Sequence, residues 1–203
     1  MEDPSAYLNP LGKIDQHGSR LPHWQQGDAL QFVTFRQKDA LPKSKLVLWR
    51  SEKAMWLSKH PKPWTPKQTS EYSEVFTERI EEWLDAGMGS CLFNHAENRE
   101  ALKIVIMKAA PANAELHAWV TMPNHAHVLF RPLRPLPELI KAWKRASAQK
   151  VGKGSIWQRN YRDTLIRNST HYARVVRYIR KNPVSLAPNS YSLWESESAQ
   201  RIK

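Results

Sequence analysis

Apolar positions along the chain follow two periods, and the changes between them mark the elements. Ala29 to Arg36 (ALQFVTFR) is β-branched and aromatic with partial alternation, which predicts a strand. Residues 43–60 and 67–86 carry helical spacing, the second through Val75, Phe76, Ile80, Trp83 and Leu84. Pro61, Pro63 and Pro66 separate those helices, and Gly87 and Gly89 stop the second. Ala96 to Met107 predicts a further helix with Leu102, Val105 and Ile106 on its apolar face. Glu115 to Met122 alternates as a strand, placing Leu116, Ala118, Val120 and Met122 on one side. Pro123 and Asn124 supply a tight turn, and His125 to Arg131 runs back as the hairpin partner. On that strand Ala126, Val128 and Phe130 face a core, while His125, His127 and Leu129 share the opposite side.

Residues 137–151 predict a basic amphipathic helix, with Leu139, Ile140 and Trp143 inward and its lysines outward; Gly152 and Gly154 break it. Ile156 to Ile166 reads as one or two short strands. Ser169 or Thr170 can cap a final helix over about 170–181, with Val175, Val176 and Ile179 as its buried stripe. Pro183 ends that helix at Asn182, because the residue before proline is pushed out of helical dihedrals. This order predicts an α+β domain: an antiparallel sheet with helices on one face, and a last helix near the hairpin strand. Residues 1–27 read as an extended N-terminal arm and 188–203 as a polar, loosely ordered C-terminal tail around one domain over 28–187.

Composition narrows the partner. Among 203 residues, 31 are Lys or Arg against 19 acidic ones, a net charge of +12 that favours an anionic partner, with nucleic acid the commonest. Cys91 is the one cysteine, which excludes a disulfide framework and a cysteine-rich zinc site and fits a reducing cytoplasm. The N-terminus does not read as a secretory signal, and no apolar stretch approaches a membrane span. Most of the nine tryptophans are expected in the core, and any spare aromatics could stack on unpaired bases.

The candidate chemistry lies in two places. In an extended strand His125 and His127 point the same way, so their imidazoles can share one divalent ion. Tyr178 and Asn182 stand four apart on one helical face. Two imidazoles and a carboxamide around a metal, beside a phenol, suit phosphodiester cleavage with tyrosine as nucleophile. Each feature also has a plain reading: exposed histidines on any strand, a packed tyrosine, an asparagine C-cap. Lys141, Lys144, Arg145, Lys150 and Lys153 form either a solvated face or, given the overall charge, a track for a phosphate backbone. Arg174, Arg177, Arg180 and Lys181 surround Tyr178, and Arg174, Arg177 or Lys181 could ease deprotonation of the phenol. Tyr161 is a rival nucleophile whose setting looks like aromatic strand packing.

These residues resemble a known family. Met122-Pro123-Asn124-His125-Ala126-His127-Val128-Leu129 resembles the histidine motif of the HUH single-tyrosine transposases. Trp157-Gln158-Arg159-Asn160-Tyr161 and Arg177-Tyr178-Ile179-Arg180-Lys181-Asn182-Pro183 resemble later blocks of the branch associated with repetitive extragenic palindromes (REP). Leu21-Pro22-His23-Trp24, Phe32-Val33-Thr34-Phe35-Arg36, Asp39-Ala40-Leu41-Pro42 and the run Trp83 to Cys91 resemble its N-terminal signatures, so the likeness covers about residues 20–187 in matching order. Ala126, Arg162 and the stretch Ser185 to Pro188 depart from the family's pattern.

The resemblance implies a ferredoxin-like HUH domain over 28–187, with a helical insertion at about 43–87 and a C-terminal tyrosine-bearing helix. It implies His125, His127 and Asn182 as ligands of Mg²⁺ or Mn²⁺, with Tyr178 as nucleophile. The expected activity is cleavage and rejoining of single-stranded DNA beside palindromic hairpins through a 5′-phosphotyrosine, by a monomer or homodimer in the DNA-associated cytoplasm. Two alternatives stay open: a non-catalytic binder of structured single-stranded DNA or RNA, and a zinc hydrolase built on His-x-His.

Overall fold

The computed structural model describes residues 4–17 and 23–203, with the backbone alone for 4 and 109–111. Residues 1–3 and 18–22 of the expected arm, including Leu21 and Pro22 of the N-terminal signature, lie outside the described residues. The rest of that arm is not merely extended. It contributes a two-stranded antiparallel sheet of β1 (Asp15–His17) and β2 (His23–Gln25). Backbone bonds from Leu8 N–H to the Ile166 carbonyl and from Leu30 N–H to the Ala6 carbonyl, both 2.8 Å, stitch it to the domain.

The domain is built on β3 (Gln31–Arg36), α4 (Ala96–Asn113), β4 (Ala114–Thr121), β5 (His125–Pro132), α5 (Leu136–Val151) and β6 (Arg162–Leu165). Its five-stranded sheet runs β6-β3-β5-β4-β7, with every pair antiparallel. The first four strands and their two helices are therefore a ferredoxin-like βαββαβ unit. The expected tail supplies the fifth strand, β7 (Ser192–Glu195), and a one-turn helix, α7 (Glu197–Gln200). No apolar period marked it, because an edge strand of four residues with a polar outer face carries almost no pattern.

Each face of the sheet has its own core. Val33, Phe35, Ala126, Val128 and Phe130 pack under α4 and α5 against Ile106, Ile140 and Trp143. Leu30, Ala118, Val120, Met122 and Leu129 pack under α6 (Ser169–Lys181), which contributes Tyr172, Val175, Val176 and Ile179. Those four fall at i, i+3, i+4 and i+7, and each buried Val or Ile contributes about 1.5–3 kcal/mol. The expected common face of Leu116, Ala118, Val120 and Met122 is corrected. A β-bulge between Leu116 and Ala118 puts Leu116 under α4 and α5 and the other three under α6. The N-cap of α6 is Asn168, whose side chain accepts from His171 N–H, rather than Ser169 or Thr170.

The insertion after β3 holds α1 (Lys43–Lys59), α2 (Pro66–Tyr72), a π-helical stretch Ser73–Glu78, and α3 (Arg79–Asp85). α3 is pinned by the loop that follows it. Gly89 adopts φ +89 against the Asp39 carbonyl, where a Cβ would overlap that oxygen. Ser90 N–H donates to Asp39 Oδ2 at 2.9 Å, and Asn124 Nδ2 donates to the Met88 carbonyl at 2.9 Å. No helix among the described residues is long and apolar enough to cross a membrane.

Candidate active site

His125 and His127 lie on the α6 side of β5, and both are fully buried. Their Nε2 atoms stand 3.0 Å apart. The outer nitrogens are held separately: His125 Nδ1 faces Asn124 Oδ1 at 2.7 Å, and His127 Nδ1 faces Thr34 Oγ1 at 2.8 Å. Asn124 uses its Nδ2 on Met88, so its oxygen accepts from His125 Nδ1–H and leaves the Nε2 lone pair free. Thr34 is the register partner of His127, which places its hydroxyl against Nδ1. Burial lowers the pKa of both histidines: His127 to about 3 with help from Arg162, and His125 well below its ordinary value with help from the neighbouring His127. Two neutral imidazoles aimed at one point have the geometry to share one ion.

The amphipathic stripe of α6 fixes where Tyr178 goes. Its ring packs edge-on to Phe32 and His127, with centroids 5.8 and 5.1 Å away, and its hydroxyl lies 3.4 Å from His127 Nε2. One turn later Asn182 keeps right-handed dihedrals (φ −53, ψ −45), so it is not there to supply a left-handed helix stop. Its side chain hydrogen-bonds Asp85, while its Oδ1 is buried without a partner. The structure thus brings His125, His127, Tyr178 and Asn182 together within one chain.

Two carboxylates join them that sequence reasoning missed. Glu81 and Asp85, one turn apart on α3, descend onto the site from the insertion. Tyr178 Oη donates to Glu81 Oε2 at 2.9 Å, and Arg162 Nη1 donates to Glu81 Oε1 at 2.8 Å. Asp85 Oδ1 lies 3.8 Å from His125 Nε2 and Glu81 Oε2 lies 4.0 Å from His127 Nε2. Burial and the Glu81 charge raise Asp85 to about 6. Burial, then the charge and hydrogen bond of Glu81, push the Tyr178 phenol well above its usual range. The i, i+4 spacing of Glu81 and Asp85 was a visible signal, but such pairs usually face solvent. Arg162, one of the departures from the family's pattern, is the residue that holds Glu81.

The cations expected near the phenol sit elsewhere. Arg174, Arg177 and Lys181 are exposed, and Arg177 donates to the Lys203 carbonyl at 2.6 Å. The charges that act on Tyr178 are Glu81, Asp85 and Arg162. Lys141, Lys144 and Arg145 line a groove of about 940 Å³ under α5, on the sheet face opposite the histidines. Lys144 is occupied there, donating to the carbonyls of Gln158, Arg159 and Asn160. Lys150 and Lys153 are exposed near the end of α5. Tyr161 stacks on His23 with centroids 3.8 Å apart, as aromatic packing.

The donor set fits a hard divalent cation. Cis ligands of an octahedral ion at about 2.0–2.1 Å lie about 3 Å apart, which matches the Nε2 pair. The free Oδ1 of Asn182 is an oxygen donor without a protein partner. Among the described residues no three His, Cys, Asp or Glu side chains gather to hold a metal.

No family profile matches the chain. A REP-associated tyrosine transposase of Escherichia coli (strain K12) is 32% identical over 73 residues, which are 34% of this chain and 44% of that protein. The chain thus spans less than half the length of that relative. A solved REP-associated tyrosine transposase bound to a REP hairpin is 18% identical with a TM-score of 0.46, covering 82% of this chain and 73% of that one. The chain resembles REP-associated tyrosine transposases.

Proposed function

We propose that the chain is a REP-associated tyrosine transposase that cleaves and rejoins single-stranded DNA beside hairpins. The observation that carries this reading is the convergence of the His125 and His127 Nε2 atoms, 3.0 Å apart, with Tyr178 Oη 3.4 Å from the second. A phosphate seated between them would have a nucleophile on one side and a ligand pair on the other.

His125, His127 and the Asn182 carboxamide would hold Mg²⁺ or Mn²⁺. When bound, the ion supplies Lewis-acid polarisation of the scissile phosphate and offsets charge built up during displacement. The protein's own groups do the rest. Burial keeps the imidazoles neutral, and Asn124 and Thr34 keep them aimed. Phe32 and His127 fix the phenol ring, which limits the approach of Oη. Tyr178 starts fully protonated, so a base must take its proton, and Glu81 Oε2 already accepts that hydrogen. Arg162 occupies the other oxygen of Glu81 and keeps the carboxylate turned to the phenol.

Tyr178 Oη then forms a bond to phosphorus as its proton passes to Glu81. The P–O3′ bond breaks, and the 3′-oxygen leaves with a proton from solvent. The products are a 5′-phosphotyrosine and a 3′-hydroxyl. The phosphodiester energy stays in the adduct, so a second 3′-hydroxyl can displace Tyr178 and join a new strand.

Labelled hairpin DNA with unpaired flanks, incubated with Mn²⁺ and then denatured, tests the reading. Wild type should retain a covalent adduct, and Tyr178→Phe should retain none. An equal adduct in both would rule out Tyr178. Hairpin binding without any adduct, unaffected by changing both histidines to Ala, would leave a binding protein instead.

A further inference from the structure

A cleft of about 550 Å³ opens between the helical insertion and the sheet edge made by β3 and β6. One end of it is the active site, because Thr34 and Glu81 line the cleft and also hold His127 and Tyr178. Trp49, Tyr72 and Phe76 form an aromatic wall, with Lys53 Nζ 4.8 and 5.3 Å from the centroids of the first two rings. The cations Arg36, Arg50, Lys53 and Arg162 line it against the acids Glu81 and Asp163. Both acids are engaged already: Glu81 by Arg162 and Tyr178, Asp163 by His23 and the Trp24 N–H.

Arg36 is the unusual member. It stands opposite His125 in the β3–β5 register. Its Nε donates to Gln158, but its Nη1 is buried with no hydrogen-bond partner. A buried guanidinium donor without an acceptor is costly to leave unmade. Arg50, exposed on α1, is its charged neighbour across the cleft; burial and then the Arg50 charge lower Arg36 to about 10. Two guanidinium groups lining one cleft attract a phosphate.

We propose that Arg36 and Arg50 seat a backbone phosphate of the unpaired strand next to the scissile one, with its base against the aromatic wall of the insertion. This rests on the reading of Tyr178 as a nucleophile toward single-stranded DNA. The insertion then has two roles, closing a channel for the flank and delivering Glu81. The far end of the cleft meets the α5 groove at Gln158, Asn160 and Tyr161, so a strand leaving the site is led toward Lys141 and Arg145.

The test compares binding of a hairpin carrying an unpaired flank with binding of the same hairpin lacking it, by fluorescence anisotropy over a salt series. Wild type is compared with Arg50→Gln and with Lys108→Gln, which removes an exposed charge on α4. The seat predicts that Arg50→Gln weakens flanked DNA alone and lowers its slope of log affinity against log salt by about 1. Lys108→Gln should not separate the two DNAs. Should Arg50→Gln affect both DNAs equally, or neither, while the Tyr178 adduct still forms, the seat is wrong and the proposed activity stands. Wild type that neither binds hairpins nor forms the adduct overturns the activity and the seat with it.

Discussion

Thr34→Val replaces the hydroxyl against His127 with a methyl of the same shape. Thr34 is 7% exposed and His127 fully buried, so no solvent can take over the lost 2.8 Å bond. A buried donor or acceptor left unpaired costs about 1–3 kcal/mol. For a chain of this size each kcal/mol lowers the melting temperature by about 2–4 °C, so the loss should be readable by thermal denaturation. The second consequence falls on metal binding. Without Thr34 the ring of His127 loses the contact that fixes its orientation, and loss of such a partner typically lowers metal affinity about 10–100-fold. Titration with Mn²⁺, followed by the electron paramagnetic resonance of the free ion, measures that loss. Thr34→Ser keeps the hydroxyl and should recover most of the affinity. Wild-type Mn²⁺ affinity in the valine variant would refute the argument that Thr34 positions a ligand.

Glu81→Gln keeps the shape but removes the proton acceptor; adduct formation should slow by about 10²–10⁴ while hairpin affinity is kept or improves, as single-turnover kinetics and anisotropy would show. Gly89→Ala forces a Cβ into the Asp39 carbonyl at φ +89, so it should destabilise the fold by at least about 1 kcal/mol and also slow the adduct by displacing α3. The lowered pKa values of His117, His125, His127 and His171 set the response to acid and outweigh the raised carboxyl of Asp85, which works the other way. Unfolded histidine takes up its proton near 6.5, whereas folded His127 does so only at about 3. The unfolded state therefore binds more protons across that window, and stability rises with pH through it. Melting of the metal-free protein should fall steadily as pH drops below 6.5; a flat profile from about pH 6.5 to 4 would contradict the burial of neutral imidazoles.

Much of this site was legible because strand and helix periods are local. Alternation along His125 to Phe130 places the histidine pair opposite the α4–α5 core, and the stripe of Val175, Val176 and Ile179 turns Tyr178 toward the sheet. The bulge before Ala118 was not legible, since a bulge is a property of two strands in register and leaves no mark on one of them. Glu81 and Asp85 were missed for a related reason. Nothing in the spacing of α3 says which side faces the sheet; that is decided by Met88, Gly89 and Ser90 of its C-terminal loop docking on Asn124 and Asp39. Arg162 was noticed as a departure from the family's pattern, but its meaning needed the insertion to be in place. The basic helix was found correctly as an element, yet charge alone could not reveal that α5 lies across the sheet from the histidines.

Crystals of Tyr178→Phe soaked with Mn²⁺ and a hairpin carrying an unpaired flank would test the central claim most directly, through the anomalous signal of the ion. The account predicts one Mn²⁺ bonded to Nε2 of both His125 and His127, touching a phosphate that lies in front of ring 178. An ion bound elsewhere, or a strand that passes the histidines without presenting a phosphate to that ring, would contradict it.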